Sequence, residues 1–207
     1  MRGRHLAALV ALLWVAVPSC VDAGERVAVL GDSITALDAG ALEEDLGDDY
    51  RFSISGTPGA TADQVLPEAQ ELAQRSFDQV IINLGTNDVL QWGSPEQAVA
   101  AIAQYVVMFD SARCVHVVTV NENMQNQLDG RSTSDGAREL NDALRAFAET
   151  QDHVTVIDWN AAAEQSLNGA EPPSSTLTSD SIHPTPEGNQ VLNGLYGDAL
   201  GGCARAF

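Results

Sequence analysis

An α/β sandwich built on a five-stranded parallel sheet is the fold this sequence predicts, on three observations. Five apolar runs of strand length, rich in Val and Ile, recur at 27–30, 52–55, 80–84, 115–120 and 154–157. Most are nearly continuous rather than alternating, the pattern of strands covered on both faces. Stretches with helical spacing separate them, and strands alternating with helices give three layers, α/β/α, around a parallel sheet.

The elements follow in order. The first strand ends in Gly31-Asp32-Ser33, where Gly31 lets the chain turn and Asp32 or Ser33 suits a helix cap. Helical spacing runs from 37 to 46. After the second strand, Thr61 and Gln64 suggest a capping box, and because Pro67 would interrupt a single helix the main body is expected over 67–76. Ser94-Pro95-Glu96-Gln97 combines an N-cap, a proline at the first helical position and a glutamine at the third, and Val99, Ile102, Val106 and Phe109 share one face. Ala137, Leu140, Leu144 and Phe147 have the same spacing within 134–150. The last helix follows Thr185-Pro186-Glu187 and carries Leu192, Leu195, Tyr196 and Leu200 inward. Two long polar loops, 121–133 and 160–179, are expected at the functional edge.

The chain has 207 residues and a net charge of −19, with no lysine. One domain over 24–207 is expected, preceded by a signal peptide over 1–23: Arg2 and Arg4, an apolar run, then small residues ending at Ala23. The apolar run is too short for a membrane span. The protein is therefore expected to be secreted. An alternative cut before Cys20, at a sequence resembling a bacterial lipobox, would leave a lipid-anchored surface protein. The acidity argues against a nucleic-acid partner. A monomer is expected.

Polar stretches stand where strands end: Gly31-Asp32-Ser33, Gly56-Thr57-Pro58-Gly59 and Gly85-Thr86-Asn87-Asp88, with Asp180-Ser181-Ile182-His183-Pro184 before the last helix. Each alone reads as turn glycines or helix caps. Together they suit acyl-transfer chemistry. A serine hydroxyl becomes nucleophilic when a neutral imidazole accepts its proton and a carboxylate holds the other ring nitrogen. Asp180 and His183, three apart in a tight turn, can reach each other, with Ser33 as nucleophile. The backbone N–H groups of Ser33 and Gly56 and the amide of Asn87 would serve the oxyanion, glycine at 56 letting the backbone approach substrate. His116 reads as a core or edge residue and His153 as exposed. Trp92 is a candidate wall of the acyl pocket, and Trp159 a weaker candidate that simple packing would also explain. Asp32, Asp88 and Asp180 lack the His or Glu spacing of a metal site, so no metal and no cofactor are expected.

These blocks resemble those of the SGNH hydrolases, the GDSL-type esterases and lipases, across nearly the whole chain beyond residue 24. The first block reads GDSI here. The resemblance implies a flavodoxin-like sheet, a Ser33–His183–Asp180 triad, and Ser33, Gly56 and Asn87 as oxyanion donors. It implies a hydrolase of carboxylic esters, and the lack of an inserted lid favours short acyl groups, such as acetyl on a glycan. Acyl transfer to another alcohol, and glycan binding without catalysis, are the rival readings.

Cys114 and Cys203 are predicted to form a disulfide. Cys20 falls within or beside the signal, leaving an even pair. Cys114 opens the fourth strand at the edge opposite the catalytic loops, and the final helix runs back to that edge before Cys203.

Overall fold

The computed structural model describes residues 24–203. The signal peptide expected over 1–23, with Cys20, lies outside the described residues. Strands β1 (Glu25–Gly31), β2 (Tyr50–Gly56), β3 (Gln79–Asn83), β4 (Cys114–Val118) and β5 (Val154–Ile157) form one sheet in the order β2-β1-β3-β4-β5. Every pair is parallel. This is the flavodoxin-like order, in which the chain reverses its direction of winding between β1 and β3.

Period-two alternation divides β1, β3, β4 and β5 between two cores, while the apolar residues of β2 all face one of them. Val27 and Val29 of β1 and Ile81 of β3 pack with Ile34, Leu42, Leu192, Tyr196 and Leu200. Those partners belong to α1 (Ser33–Leu46) and α7 (Pro186–Gly202). Ala28, Leu30, Val80 and Ile82 point the other way, onto Ala69, Ile102, Tyr105, Leu140 and Leu144. These lie on α2 (Leu66–Leu72), α4 (Pro95–Met108) and α5 (Ser134–Glu149). Burial on both faces explains the continuous apolar runs. β2 is an edge strand, and its residues are only half buried, apart from an exposed Arg51.

The caps are local and legible. Ser94 accepts from the Gln97 N–H at the start of α4. Thr185 accepts from Gly188 N–H at the start of α7. The second helix follows expectation in that Pro67 sits in its first turn, with a separate 3-10 turn at Ala62–Val65 before it, but it ends at Leu72 instead of 76. A further helix, α6 (Trp159–Gln165), replaces the start of the predicted 160–179 loop. Asp158 nucleates it by accepting the Ala161 N–H, and the alanines that follow are strong helix formers.

Cys114 and Cys203 are joined by a disulfide, 6.2 Å between their Cα atoms. His116 is buried, its ring nitrogens paired with Thr155 and Gln79 at 2.6 and 2.9 Å. His153 is half buried rather than exposed. Among the described residues no helix is long and apolar enough to cross a membrane.

Candidate active site

Ser33 stands at the carboxyl end of β1, beside the reversal point, as the first residue of α1. Asp32 takes the capping role that sequence left open between the two, its Oδ1 accepting the Ile34 N–H at 2.9 Å. The Ser33 hydroxyl is thereby left for another partner. It lies 2.9 Å from His183 Nε2. The Ser33 N–H is one of the first N–H groups of α1, at the positive end of the helix.

His183 is supplied by a tight turn that ends in α7. Its Nδ1 lies 2.8 Å from Asp180 Oδ2, and Asp180 Oδ1 accepts the backbone N–H groups of Ile182 and His183 at 3.0 and 2.7 Å. Ser181 within the turn has a left-handed φ of 68°. The turn is tied down from the 121–133 loop: Asn121 donates to the Ser181 carbonyl, Gln125 N–H to the Ser181 hydroxyl, and Gln127 Nε2 to Asp180 Oδ2 at 2.8 Å. Partial burial pushes the Asp180 carboxyl up, but the hydrogen bonds from the His183 ring, the His183 and Ile182 backbone and Gln127 outweigh it and leave it at about 2.

Asn87 lies on α3 (Thr86–Leu90), a short helix that follows β3. One hydrogen of its amide goes to Asp32 Oδ2, 3.2 Å away, which leaves the other free to point into the cavity. Asp32 is fully buried. Burial raises its carboxyl to about 6, against the lowering by the Ile34 N–H, the neighbouring His183 and the Asn87 amide.

Gly56 ends β2 opposite Gly31. Thr57 N–H donates to the Gly31 carbonyl, so the alternating Gly56 N–H faces away from β1 and is left out of that ladder. The need for glycine at 56 differs from the expected approach of substrate. A Cβ there would fall 2.5 Å from the Ala36 nitrogen and 2.8 Å from its Cα, so glycine is required for β2 to pass the first turn of α1. Gly59, with φ +78°, supplies the turn that lines the cavity.

That cavity, about 380 Å³, brings together Ser33, Asn87 and His183 with Pro58, Gly59, Leu90, Asn126, Gln127, Leu128 and Ile182. The two tryptophans are placed elsewhere. Trp159 is 2 % exposed and packs in the core beneath α7, since α6 turns its side chain inward. Trp92 is half exposed, with the Arg131 guanidinium 4.3 Å over its ring, and lines a separate cavity with Asp88, Pro95 and Thr133. Neither lines the cavity at Ser33. Sequence reasoning missed the carboxylate of Asp32 as the group holding Asn87, and missed Gln127. The first was visible only as a neighbour of Ser33, and the second only as one amide in a polar loop.

A serine, an imidazole and a carboxylate in one hydrogen-bonded row, at the carboxyl edge of a doubly wound parallel sheet, is an arrangement suited to serine acyl hydrolysis. The chain belongs to the GDSL-like lipase/acylhydrolase family, whose sequence profile matches residues 29–191. Over 183 residues it is 25% identical to the Bacillus subtilis (strain 168) protein named "Putative peptidoglycan O-acetyltransferase YrhL". The match takes in 86% of this chain but 24% of that protein, so the chain spans about a quarter of this relative's length. Among solved structures, the acetylxylan esterase Axe2 of Geobacillus stearothermophilus superposes with a TM-score of 0.68 at 19% identity, covering 89% of this chain and 98% of that one. A lipolytic protein of the G-D-S-L family from Veillonella parvula DSM 2008 gives 0.68 at 17% identity, covering 86% and 98%. At these identities the likeness is one of fold.

Proposed function

We propose that the protein is a secreted serine esterase that removes short acyl groups, acetyl above all, from a glycan. The observation that carries the chemistry is the row Ser33 Oγ, His183 Nε2, His183 Nδ1, Asp180 Oδ2, with contacts of 2.9 and 2.8 Å. Ser33 attacks the ester carbonyl while His183 takes its proton, and Asp180 holds the tautomer and steadies the imidazolium. The oxyanion of the tetrahedral intermediate is met by the N–H groups of Ser33 and Gly56 and by the Asn87 amide. His183 then protonates the departing alcohol, and water, activated by the same imidazole, releases the acid from Ser33.

The acyl preference rests on size: about 380 Å³ lies toward the small end of ligand pockets, which span roughly 300–1,000 Å³. The glycan preference is supported by the acetylxylan esterase among the structural neighbours and by the name of the Bacillus subtilis relative. That name also supports a second reading, transfer of the acyl group to another alcohol. The two share the acyl-enzyme and differ in what attacks it. Residues 1–23 act as the export signal in this reading, and the domain occupies 24–207.

The test is a series of 4-nitrophenyl esters from acetate to decanoate, with Ser33→Ala beside the wild type. Turnover should be fastest for the shortest esters and fall by several orders of magnitude in folded Ser33→Ala. Full activity of that variant refutes the assignment. An added sugar or glycerol acceptor tells the two readings apart: an acylated acceptor accumulating faster than free acid supports the transferase.

A further inference from the structure

Beside the pocket at Ser33 lies a larger groove, about 610 Å³, between the 121–133 loop and the segment leading to His183. Gln125, Asn126, Gln127, Ser174, Ser179 and Ser181 line it with Asp180 and Gly130. Asn126 and Gln127 also line the Ser33 pocket, so the two spaces share a wall.

We propose that this groove binds the alcohol side of the substrate, and that the alcohol is a neutral oligosaccharide. The inference rests on the esterase reading above and adds where the glycan lies and of what charge. Direction is the first argument. His183 Nε2 must hand its proton to the leaving oxygen, so the alcohol departs on the His183 side of Ser33. The groove is on that side, because Ser179, Asp180 and Ser181 belong to the His183 turn.

Chemistry is the second argument. The lining is amide and hydroxyl, groups that both donate and accept, as sugar hydroxyls do. Asn126 Nδ2 is already bonded to the Leu90 carbonyl and Gln127 Nε2 to Asp180, so those two amides brace the wall. Recognition then falls to the Gln125 amide and the Ser174 hydroxyl, with the Ser179 hydroxyl, which donates to the His183 carbonyl at 3.3 Å, left as an acceptor. No Arg, Lys or His lines the groove, and its one charge is the Asp180 carboxylate. An anionic saccharide would meet that charge in a chain whose net charge is −19. Size is the third. At about 610 Å³ the groove exceeds the acyl pocket, so the larger part of the substrate belongs on the alcohol side.

The experiment measures kcat/KM of wild type on 4-nitrophenyl acetate, an acetylated methyl glycoside, acetylated neutral oligosaccharides of increasing length, and acetylated uronic-acid oligosaccharides. Values should climb at least tenfold with neutral chain length and then level off, and acidic oligosaccharides should gain nothing. Ser174→Trp, which fills the groove, should lower the ratio of oligosaccharide to 4-nitrophenyl acetate turnover at least tenfold. Gln125→Ala, the gentler variant should Ser174→Trp fail to fold, should lower the same ratio several-fold. Turnover of 4-nitrophenyl acetate with no gain along the neutral series, or an unchanged ratio in both variants, overturns the groove and leaves the esterase standing. Preference for the acidic series overturns the assigned charge. No ester turnover at all removes the reading on which the groove rests.

Discussion

Replacing Asn87 by alanine separates transition-state stabilisation from binding, and the structure sets its size. The Asn87 amide is anchored at 3.2 Å on the buried Asp32 carboxylate, so its other hydrogen is held in place before substrate arrives. A preorganised donor of this kind is worth ~3 kcal/mol at a developing oxyanion, which converts to a loss of roughly 10²–10³ in kcat. KM should change little, because the ground-state carbonyl meets the donor less closely than the oxyanion does. The variant has a second consequence. Asp32 already sits at about 6 through burial, and losing one of its donors pushes it higher. A carboxyl raised above its unfolded value makes the fold most stable below the unfolded value, near 3.8, and less stable as pH rises toward 6. Asn87→Ala should therefore lose more stability at pH 8 than at pH 4, by about 1–3 kcal/mol for the orphaned carboxylate. Steady-state kinetics on 4-nitrophenyl acetate and urea unfolding at the two pH values read both effects. A loss confined to KM would refute the oxyanion role, and equal destabilisation at both pH values would refute the anchoring by ionised Asp32.

Asp38, which does not line the cavity at Ser33, tests the same sign. Burial raises its carboxyl to about 6 against the lowering by the Asn193 amide, with Asp45 adding to the rise. Asp38→Asn should match wild type near pH 4 and exceed it by roughly 1–3 kcal/mol at pH 8 in urea unfolding, and identical pH slopes would contradict this. Breaking the Cys114–Cys203 bridge, which spans a sequence separation of 89, should cost about 4.6 kcal/mol in the chain-entropy model, or roughly 10–20 °C in Tm, measured with Cys114→Ser/Cys203→Ser by calorimetry. Gln127→Ala should lower kcat roughly three- to tenfold through looser orientation of Asp180, with Gln127→Asn restoring little because its amide falls short by one methylene. An unchanged kcat would make that hydrogen bond incidental.

Much of this protein is determined by local sequence, because the signals act over a few residues. Apolar continuity marks strands buried on both faces, and Ser94-Pro95 and Thr185-Pro186 fix helix starts through caps that need no distant partner. The pairing of Asp180 with His183 was equally local, since three residues of a tight turn bring the two together. The direction of α7 is enough to place Cys203 near the start of β4. The tertiary structure decided what depends on packing between distant segments. Trp159 turned into the core because Asp158 caps an unpredicted helix, a choice between loop and helix that short polar stretches leave open. Gly56 owes its identity to the backbone of Ala36, a steric contact between β2 and α1 that has no sequence signature. Gln127 and Asp180, 53 residues apart, and Asp32 and Asn87, 55 apart, meet only because the sheet gathers its carboxyl ends at one edge. Hydrogen bonds of that reach are set by the fold's geometry, and no periodicity or motif in the chain encodes which amide finds which carboxylate.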